Sequence, residues 1–229
     1  MLFYAPDISP ANPVLPPDEV RHAVKVLRLQ RGDGVEILDG RGTVYAARIA
    51  HNDGTVEITG QKFSPKPVAS VHIAIAPTKN IDRMEWFLEK VVEIGVSKVT
   101  MLVTNKSERR SINHERLEKV IVSAMKQSRQ SWLPEFGELR SFRDFIKSIP
   151  QGSQNFIAHV DQLNPLHLKD AATRGRDVLV LIGPEGDFSD DELAAALSQG
   201  FQKVSLGQSR LRTETAGIVA CHILNLINS

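Results

Sequence analysis

The stretch at residues 177–220 decides the fold. It reads D-V-L-V-L-I-G-P-E-G-D-F-S-D-D-E at 177–192 and, after a segment of helical pattern, K-V-S-L-G-Q-S-R-L-R-T-E-T-A-G-I-V-A at 203–220. Twice in this stretch an apolar run ends in a glycine-bearing loop, and twice a helix-forming pattern follows. This alternation of strand, loop and helix predicts an α/β domain with a parallel sheet.

The first half of the stretch predicts a buried strand, a loop and a capped helix. Residues 178–182 form a continuous run of branched aliphatic residues, which is typical of a strand covered on both faces. Residues 183–186 end that run, because glycine and proline interrupt regular structure. Ser189 and Glu192 have the spacing of a capping box, which predicts that a helix begins there.

The second half repeats the arrangement. Residues 204–206 predict a short strand, Gly207 opens a loop, and Thr213 or Thr215 is predicted to cap the final helix. The two loops would then lie at the carboxyl ends of neighbouring strands, where open α/β sheets bind ligands. Two ordinary tight turns are the alternative that this pattern leaves open.

Composition excludes several classes of protein. The chain has 229 residues, a net charge of +1 and 41% hydrophobic residues, as expected of a globular protein with one large or two small domains. No apolar run approaches the ~18 residues of a membrane span, and the first residues lack a signal-peptide pattern. The single Cys221 fits a reducing compartment, so we expect a cytoplasmic protein with no membrane partner. The histidines are scattered, which predicts no metal site.

The pattern changes at a proline-containing linker, residues 64–67. Before it, a predicted helix at 17–29 accompanies short strands with hairpin turns between them, at 2–4, 35–38, 44–49 and 56–59. After it, strands alternate with helices: strands at 71–76, 98–104 and 156–160, helices at 81–94 and 142–149, and another helix beginning near residue 114. We therefore predict two domains, 1–68 and 69–229.

Arg21, Lys25 and Arg28 share one face of the predicted N-terminal helix, since their spacing is i, i+4, i+7. Such a face is either solvated or contacts phosphates, because Lys and Arg provide the electrostatic part of RNA affinity.

The two C-terminal loops, I-G-P-E-G-D-F-S-D-D-E and S-L-G-Q-S-R-L-R-T-E-T-A, resemble the paired signature of the RsmE family. That family comprises bacterial methyltransferases acting on N3 of a uridine in 16S ribosomal RNA, and it belongs to the SPOUT superfamily. The segments at 22–33 and 79–96 also resemble family motifs. The resemblance implies a SPOUT α/β-knot methyltransferase domain preceded by a small β-rich PUA-like RNA-binding domain.

The resemblance further implies S-adenosylmethionine as cofactor, 16S rRNA of the small ribosomal subunit as partner, and a homodimer formed through the knot region and C-terminal helix. The final helix supports an interface, since it has almost no polar face and is predicted to be buried on several sides.

The residues expected to act follow from the matched motifs. S-adenosylmethionine has no phosphate, so the glycines would admit main-chain groups to the adenine edge while apolar side chains cover its faces. The expected cofactor-binding residues are Leu181, Ile182, Gly183, Glu185, Gly186, Leu206, Gly207, Leu211, Thr213, Thr215 and Ala216. Arg212 and Glu214 are the catalytic candidates: Arg212 to hold the RNA backbone or uracil oxygens, Glu214 to orient the loop or accept a proton. The expected RNA-binding residues are Arg21, His22, Lys25, Arg28, Arg109, Arg110 and Arg129.

Two alternatives remain at this stage, and a third is disfavoured. A Rossmann-type methyltransferase is disfavoured, because residues 77–80 after the first strand of the second domain contain no glycine. A related SPOUT enzyme could methylate another position, such as a ribose 2′-hydroxyl. A non-catalytic RNA-binding or ribosome-assembly factor could have kept the fold. For Glu214, stabilisation of a helix start is a further possibility.

Overall fold

The computed structural model describes residues 1–149, 152–159 and 166–229. The chain forms two compact units. The first consists of Met1–Lys66 with Met125–Leu133, and the second of Pro67–Ala124 with Pro134–Ser229.

The first unit is a small β-rich domain, as predicted. Its elements are β1 (Leu2–Tyr4), α1 (Pro17–Arg21), β2 (Gly34–Leu38), β3 (Thr43–Ile49) and β4 (Val56–Phe63). They form a sheet in the order β1-β2-β3-β4, in which β1 pairs with β2 in parallel and the other pairs are antiparallel. The inward-facing residues of the strands, among them Phe3 and Ile37, make its core.

The prediction of one continuous helix at residues 17–29 is wrong. The α-helix ends at Arg21, and a π-helical turn, His22–Val26, follows. The amide of Leu27 donates to the carbonyl of His22 at 3.0 Å, five residues back, which widens the turn while Ala23 stays buried. Arg28 lies beyond the helix with φ of 54°. The α-helical spacing that placed Arg21, Lys25 and Arg28 on one face therefore does not hold, although all three side chains are exposed.

The second unit contains a six-stranded sheet whose strands are all parallel, in the order β10-β8-β9-β5-β6-β7. This architecture confirms the predicted α/β fold class. The elements of the chain from residue 67 onward are β5 (Val71–Ile75), α2 (Ile81–Ile94), β6 (Lys98–Val103), α3 (His114–Ser128), β7 (Glu135–Ser141), α4 (Phe142–Ile146), β8 (Gln154–Ala158), α5 (Leu168–Ala171), β9 (Val178–Ile182), α6 (Asp190–Ser198), β10 (Gln202–Val204) and α7 (Thr213–Asn228).

The order of the strands in the sheet differs from the prediction. The pattern placed β9 and β10 side by side, but β8 lies between them and pairs with both. Strand β8 also ends at Ala158, so His159 lies outside the strand predicted at 156–160, and Val160 is outside the described residues. Strand β7 was not predicted, because its residues alternate little between apolar and polar types.

Helix α7 corrects one further prediction, the identity of its N-cap. Its N-cap is Arg212, with no side-chain capping hydrogen bond, and Thr213 is already helical, so neither threonine is the cap. Only one side of the helix is buried within the chain, against α2 and β5. The approach is close: a Cβ on Gly217 would lie 2.5 Å from the Phe87 ring. The opposite side remains apolar but accessible, and Leu226 is 65% exposed.

His72 on β5 makes the fold sensitive to acid. Burial lowers the pKa of His72 to about 3, with a smaller lowering from the charge of Lys98. Its Nε2 lies 2.9 Å from Oγ1 of the buried Thr100. Because the folded pKa is below the ordinary value of 6.5, the unfolded chain binds more protons between these two pH values. The contribution of neutral His72 to stability is therefore lost as pH falls through this window.

We expect His72→Gln, which keeps a polar atom near Thr100, to flatten the decline of the free energy of unfolding between pH 6.5 and pH 4. Urea unfolding at a series of pH values measures this decline. His51→Gln, at an exposed position in the first unit, is the matched control. Parallel pH profiles for wild type and His72→Gln would contradict the assignment.

Candidate functional site

The loop after β9, residues 183–189, makes a tight turn at the carboxyl edge of the parallel sheet. Gly183 is buried, and a Cβ there would lie 3.2 Å from both Oδ1 of Asp187 and the Phe188 ring. Phe188 is 2% exposed, so the ring has no room to move aside. Asp187 has φ of 60°, a left-handed conformation that aspartate tolerates. The turn therefore depends on a glycine at position 183.

The loop after β10, residues 205–212, lies at the same edge. Oγ of Ser205 accepts from the amide of Gly207 at 3.1 Å and donates to the carbonyl of Gly207 at 3.0 Å. Gly207 has φ of 130°, which favours glycine. The loop leads through the half-buried Leu211 and the exposed Arg212 directly into α7.

The predicted cofactor-binding residues all belong to the second unit, on or beside these two loops. Their burial differs by position. Leu181, Ile182, Gly183 and Thr213 are buried; Leu206, Leu211, Thr215 and Ala216 are half-buried; Glu185, Gly186 and Gly207 are exposed. This edge thus combines apolar walls with accessible main chain, which suits a mostly apolar small molecule.

A third loop, residues 105–110 after β6, fixes the β9 loop from the side. Nζ of Lys106 donates to the carbonyls of Gly186 and Phe188 at 3.0 and 3.2 Å. The backbone amide of Asn105 donates to Oε1 of Glu192 at 2.8 Å, and the Asn105 side chain donates to Oγ of Ser189 at 2.9 Å. The predicted capping box of Ser189 and Glu192 is present, so the β6 loop is attached to the start of α6 as well.

Arg109 belongs to the same set of contacts. Its guanidinium donates to the carbonyls of Thr78 and Lys79, which lie in the loop after β5. The shortest of these hydrogen bonds is 2.7 Å. The amide of Lys79 donates to Oε1 of Glu185 at 3.2 Å, so the loop after β5 is also bonded to the β9 loop. Loops after three adjacent strands, β9, β5 and β6, are thus joined by side chains.

The two catalytic candidates differ in environment. Arg212 is exposed at the start of α7. Glu214 is only 5% exposed, and its Oε1 lies 3.9 Å from Nε of Arg83 on α2. Oε2 of Glu214 has no hydrogen-bond partner among the described residues. A buried carboxylate oxygen without a donor is unusual, so a ligand or substrate is a natural source of one.

The predicted RNA-binding residues do not form one group. Arg21, His22, Lys25 and Arg28 are exposed in the first unit. In the second unit, Arg109 and Arg110 use their guanidinium groups on backbone carbonyls. Arg129, in the first unit, has φ of 59° and forms an ion pair with Glu36.

The contacts of Lys106 and of a His159–Asp187 pair were not predicted from the sequence. In that pair, Nδ1 of His159 lies 2.9 Å from Oδ2 of Asp187. The signal available in both cases was position, since each follows the carboxyl end of a strand of one parallel sheet. No group of three potential metal ligands occurs in the part of the chain that the structure describes. No helix within the described ranges has the length and apolar character to cross a membrane.

Comparison with known proteins defines the class. Residues 64–225 match the model of the RNA methyltransferase domain, and residues 15–59 match that of the RNA methyltransferase PUA domain. The chain is therefore built as an RNA methyltransferase with a PUA domain.

The relatives define the family. The chain is 32% identical to ribosomal RNA small subunit methyltransferase E of Synechocystis, over 99% of this chain and 77% of that protein. The chain belongs to the ribosomal RNA small subunit methyltransferase E family, which confirms the resemblance drawn from the two loops.

Solved structures agree with this assignment. A probable rRNA-methyltransferase from Porphyromonas gingivalis is 46% identical, with a TM-score of 0.90 over 99% of this chain and 98% of that chain. A putative methyltransferase from Legionella pneumophila, solved with the bound cofactor SAM, is 26% identical, with a TM-score of 0.87 over 99% of this chain and 97% of that chain.

Proposed function

We propose that the protein transfers the methyl group of S-adenosylmethionine to N3 of a specific uridine in 16S rRNA of the small ribosomal subunit. The observation that carries this proposal is the pair of loops after β9 and β10, which lie at one edge of a parallel sheet in a member of this family. The Legionella relative, which holds SAM, supports the choice of donor.

The residues at this edge fit the donor. Gly183 cannot carry a Cβ without a contact of 3.2 Å inside its own loop, so the tight turn depends on it, while Gly186 and Gly207 leave main chain accessible. Leu206 and Leu211 supply accessible apolar surface, Leu181 and Ile182 are buried beneath it, and the donor has no phosphate that would need a cationic cradle. When bound, S-adenosylmethionine supplies a methyl group on a cationic sulfur, so the protein must mainly align the reacting atoms.

The chain's own residues then act on the uridine. Arg212 is accessible beside the β10 loop, where a guanidinium can donate to uracil oxygens as negative charge develops on the ring. Glu214 follows two residues later with one oxygen unpaired, and it either holds the loop or accepts the N3 proton. Both groups are at the start of α7, which also contributes favourable partial charge for an anion.

The N-terminal domain, which we place at residues 1–68, supplies RNA affinity in this proposal. Four of its basic or titratable side chains project into solvent: Arg21, His22, Lys25 and Arg28. Lys and Arg at such positions contact phosphates without sequence preference, so they position RNA while the second domain performs the chemistry. A cytoplasmic location follows from this ribosomal substrate.

A homodimer through the C-terminal helix and adjacent loops completes the proposal. The accessible side of α7 carries Ile218, Val219, Ile223 and Leu226, an apolar surface that a partner would cover. We expect Leu226→Lys to shift the protein toward monomers in sedimentation equilibrium, whereas Lys169→Leu on α5 leaves its mass unchanged. A wild-type protein that sediments as a monomer at all concentrations would contradict this part.

Lys106 offers a test of the donor loop. Lys106→Met keeps side-chain length but removes both hydrogen bonds to the β9 loop, at Gly186 and Phe188. Charge-assisted bonds are worth about 1.5–3 kcal/mol when sheltered, and this lysine is exposed, so we expect about a threefold to tenfold loss of S-adenosylhomocysteine affinity. Calorimetric titration measures it, with Lys119→Met on α3 as the charge-matched control. Unchanged donor affinity with weakened RNA binding would instead make Lys106 an RNA contact.

The proposal as a whole is tested by methyl transfer. Purified protein and S-adenosylmethionine with a labelled methyl group are mixed with small or large ribosomal subunits from cells lacking this enzyme. Incorporation into the RNA of small subunits alone is the expected result. Incorporation into neither, with no donor binding, would favour the non-catalytic binding factor.

A further inference from the structure

His159 occupies the centre of the edge where the two donor loops lie. Strand β8 pairs with β9 on one side and β10 on the other, and His159 is the first residue after β8. Its amide donates to the carbonyl of Val204, the last residue of β10, at 3.3 Å. The loops after β9 and β10 therefore flank this histidine.

The imidazole lies beside a carboxylate from the β9 loop. Nδ1 of His159 lies 2.9 Å from Oδ2 of Asp187, and the side chains are only 19% and 27% exposed. Asp187 is itself fixed, because its Oδ1 accepts from the amide of Phe188 at 2.7 Å and its backbone is left-handed. A non-glycine residue at positive φ is retained where the surrounding structure or a function requires it.

This arrangement prepares the histidine to accept a hydrogen bond. No hydrogen bond of good geometry joins Nδ1 to another of the described residues, but the carboxylate 2.9 Å away favours the tautomer with the proton on Nδ1, which leaves Nε2 as an acceptor. In the proposed function, main chain and apolar side chains contact the adenine of S-adenosylmethionine. The adjoining ribose carries two hydroxyl groups that need acceptors. Acidic side chains fill that need in dinucleotide-binding folds.

Resting on the proposed donor, we infer that Nε2 of His159 accepts a hydrogen bond from a ribose hydroxyl of S-adenosylmethionine, and that Asp187 positions the ring. His159 is then a donor-binding residue and Asp187 a positioning residue. Neither touches the uridine.

The test is a binding cycle with S-adenosylhomocysteine and its 2′-deoxy and 3′-deoxy analogues. Calorimetry gives the affinity of each for wild type and for His159→Ala. We expect His159→Ala to weaken S-adenosylhomocysteine binding by about fivefold to tenfold, as for one hydrogen bond. The same variant should bind the analogue that lacks the contacted hydroxyl as well as wild type does, because the interaction is already absent.

Two further variants distinguish a lost hydrogen bond from a folding defect. Asp187→Asn keeps the shape of the side chain but weakens its hold on the ring, so we expect an intermediate loss of affinity with the same dependence on the hydroxyl. His51→Ala, at an exposed site in the first unit, should change nothing.

Equal losses for all three ligands would overturn the inference, as would unchanged affinity accompanied by slower methyl transfer, which would make His159 a proton acceptor. If wild type binds no S-adenosylhomocysteine, the proposed function fails first, so the two failures are distinguishable.

Discussion

Replacing Arg212 by alanine is expected to lower the rate of methyl transfer at saturating substrates by about 100-fold, the scale of losing one positioned donor to developing charge. Its guanidinium forms no ion pair with the residues that the structure describes, and it is exposed beside the β10 loop. Arg212 is the N-cap of α7, yet its side chain makes no capping hydrogen bond. Truncation should therefore leave the free energy of unfolding within about 0.5 kcal/mol of wild type.

Three measurements separate a catalytic loss from other causes. Single-turnover methyl transfer gives the rate, calorimetry gives donor affinity, and urea unfolding gives stability. Arg210→Ala, two residues earlier in the same exposed loop, is the matched control. If Arg212→Ala raised only the KM for RNA and left kcat unchanged, Arg212 would be a phosphate contact with no part in the chemical step.

Glu214→Gln is expected to have the second large effect, also a loss of about 100-fold in transfer rate, within the range of a removed acid–base group. The glutamine keeps the size of the buried side chain but cannot accept a proton, and it puts an amide where Oε1 or the unpaired Oε2 stood. The charge also favours the first turn of α7 and lies 3.9 Å from Nε of Arg83, so a stability loss of about 1 kcal/mol accompanies the change.

Arg83→Met distinguishes the two contributions. It removes the cationic partner without touching the carboxylate, so it should reproduce the loss of stability while the transfer rate falls less than tenfold. If Glu214→Gln transferred methyl groups at the wild-type rate but was less stable, Glu214 would act in helix stabilisation alone. That outcome would leave the proton acceptor to be sought elsewhere at the site.

Local features of the fold were predictable from sequence because their causes are local. The aliphatic run of β9 and the capping box of Ser189 and Glu192 are specified by residues within one turn or one strand, and the structure contains both. The C-cap at Gly95 is of the same kind, since its φ of 109° suits glycine. Such features do not depend on where distant segments pack.

Strand order and loop-to-loop contacts were not predictable in this way. The position of β8 between β9 and β10 depends on the pairing of three separate segments, which no short pattern encodes. No role was predicted for Lys106, yet it donates hydrogen bonds to carbonyls 80 and 82 residues away in sequence. The π-helical turn at His22–Val26 was likewise not predicted, since a helical pattern alone predicts ordinary α-helix.

The central claim is the site of methylation, and nucleoside analysis tests it most directly. RNA from the labelled small subunits is digested to nucleosides, which are separated and identified by mass. A labelled 3-methyluridine is the result that this account predicts. A labelled 2′-O-methylated nucleoside, or a methyl group on any base other than uracil, would contradict it while leaving the fold and the donor site in place.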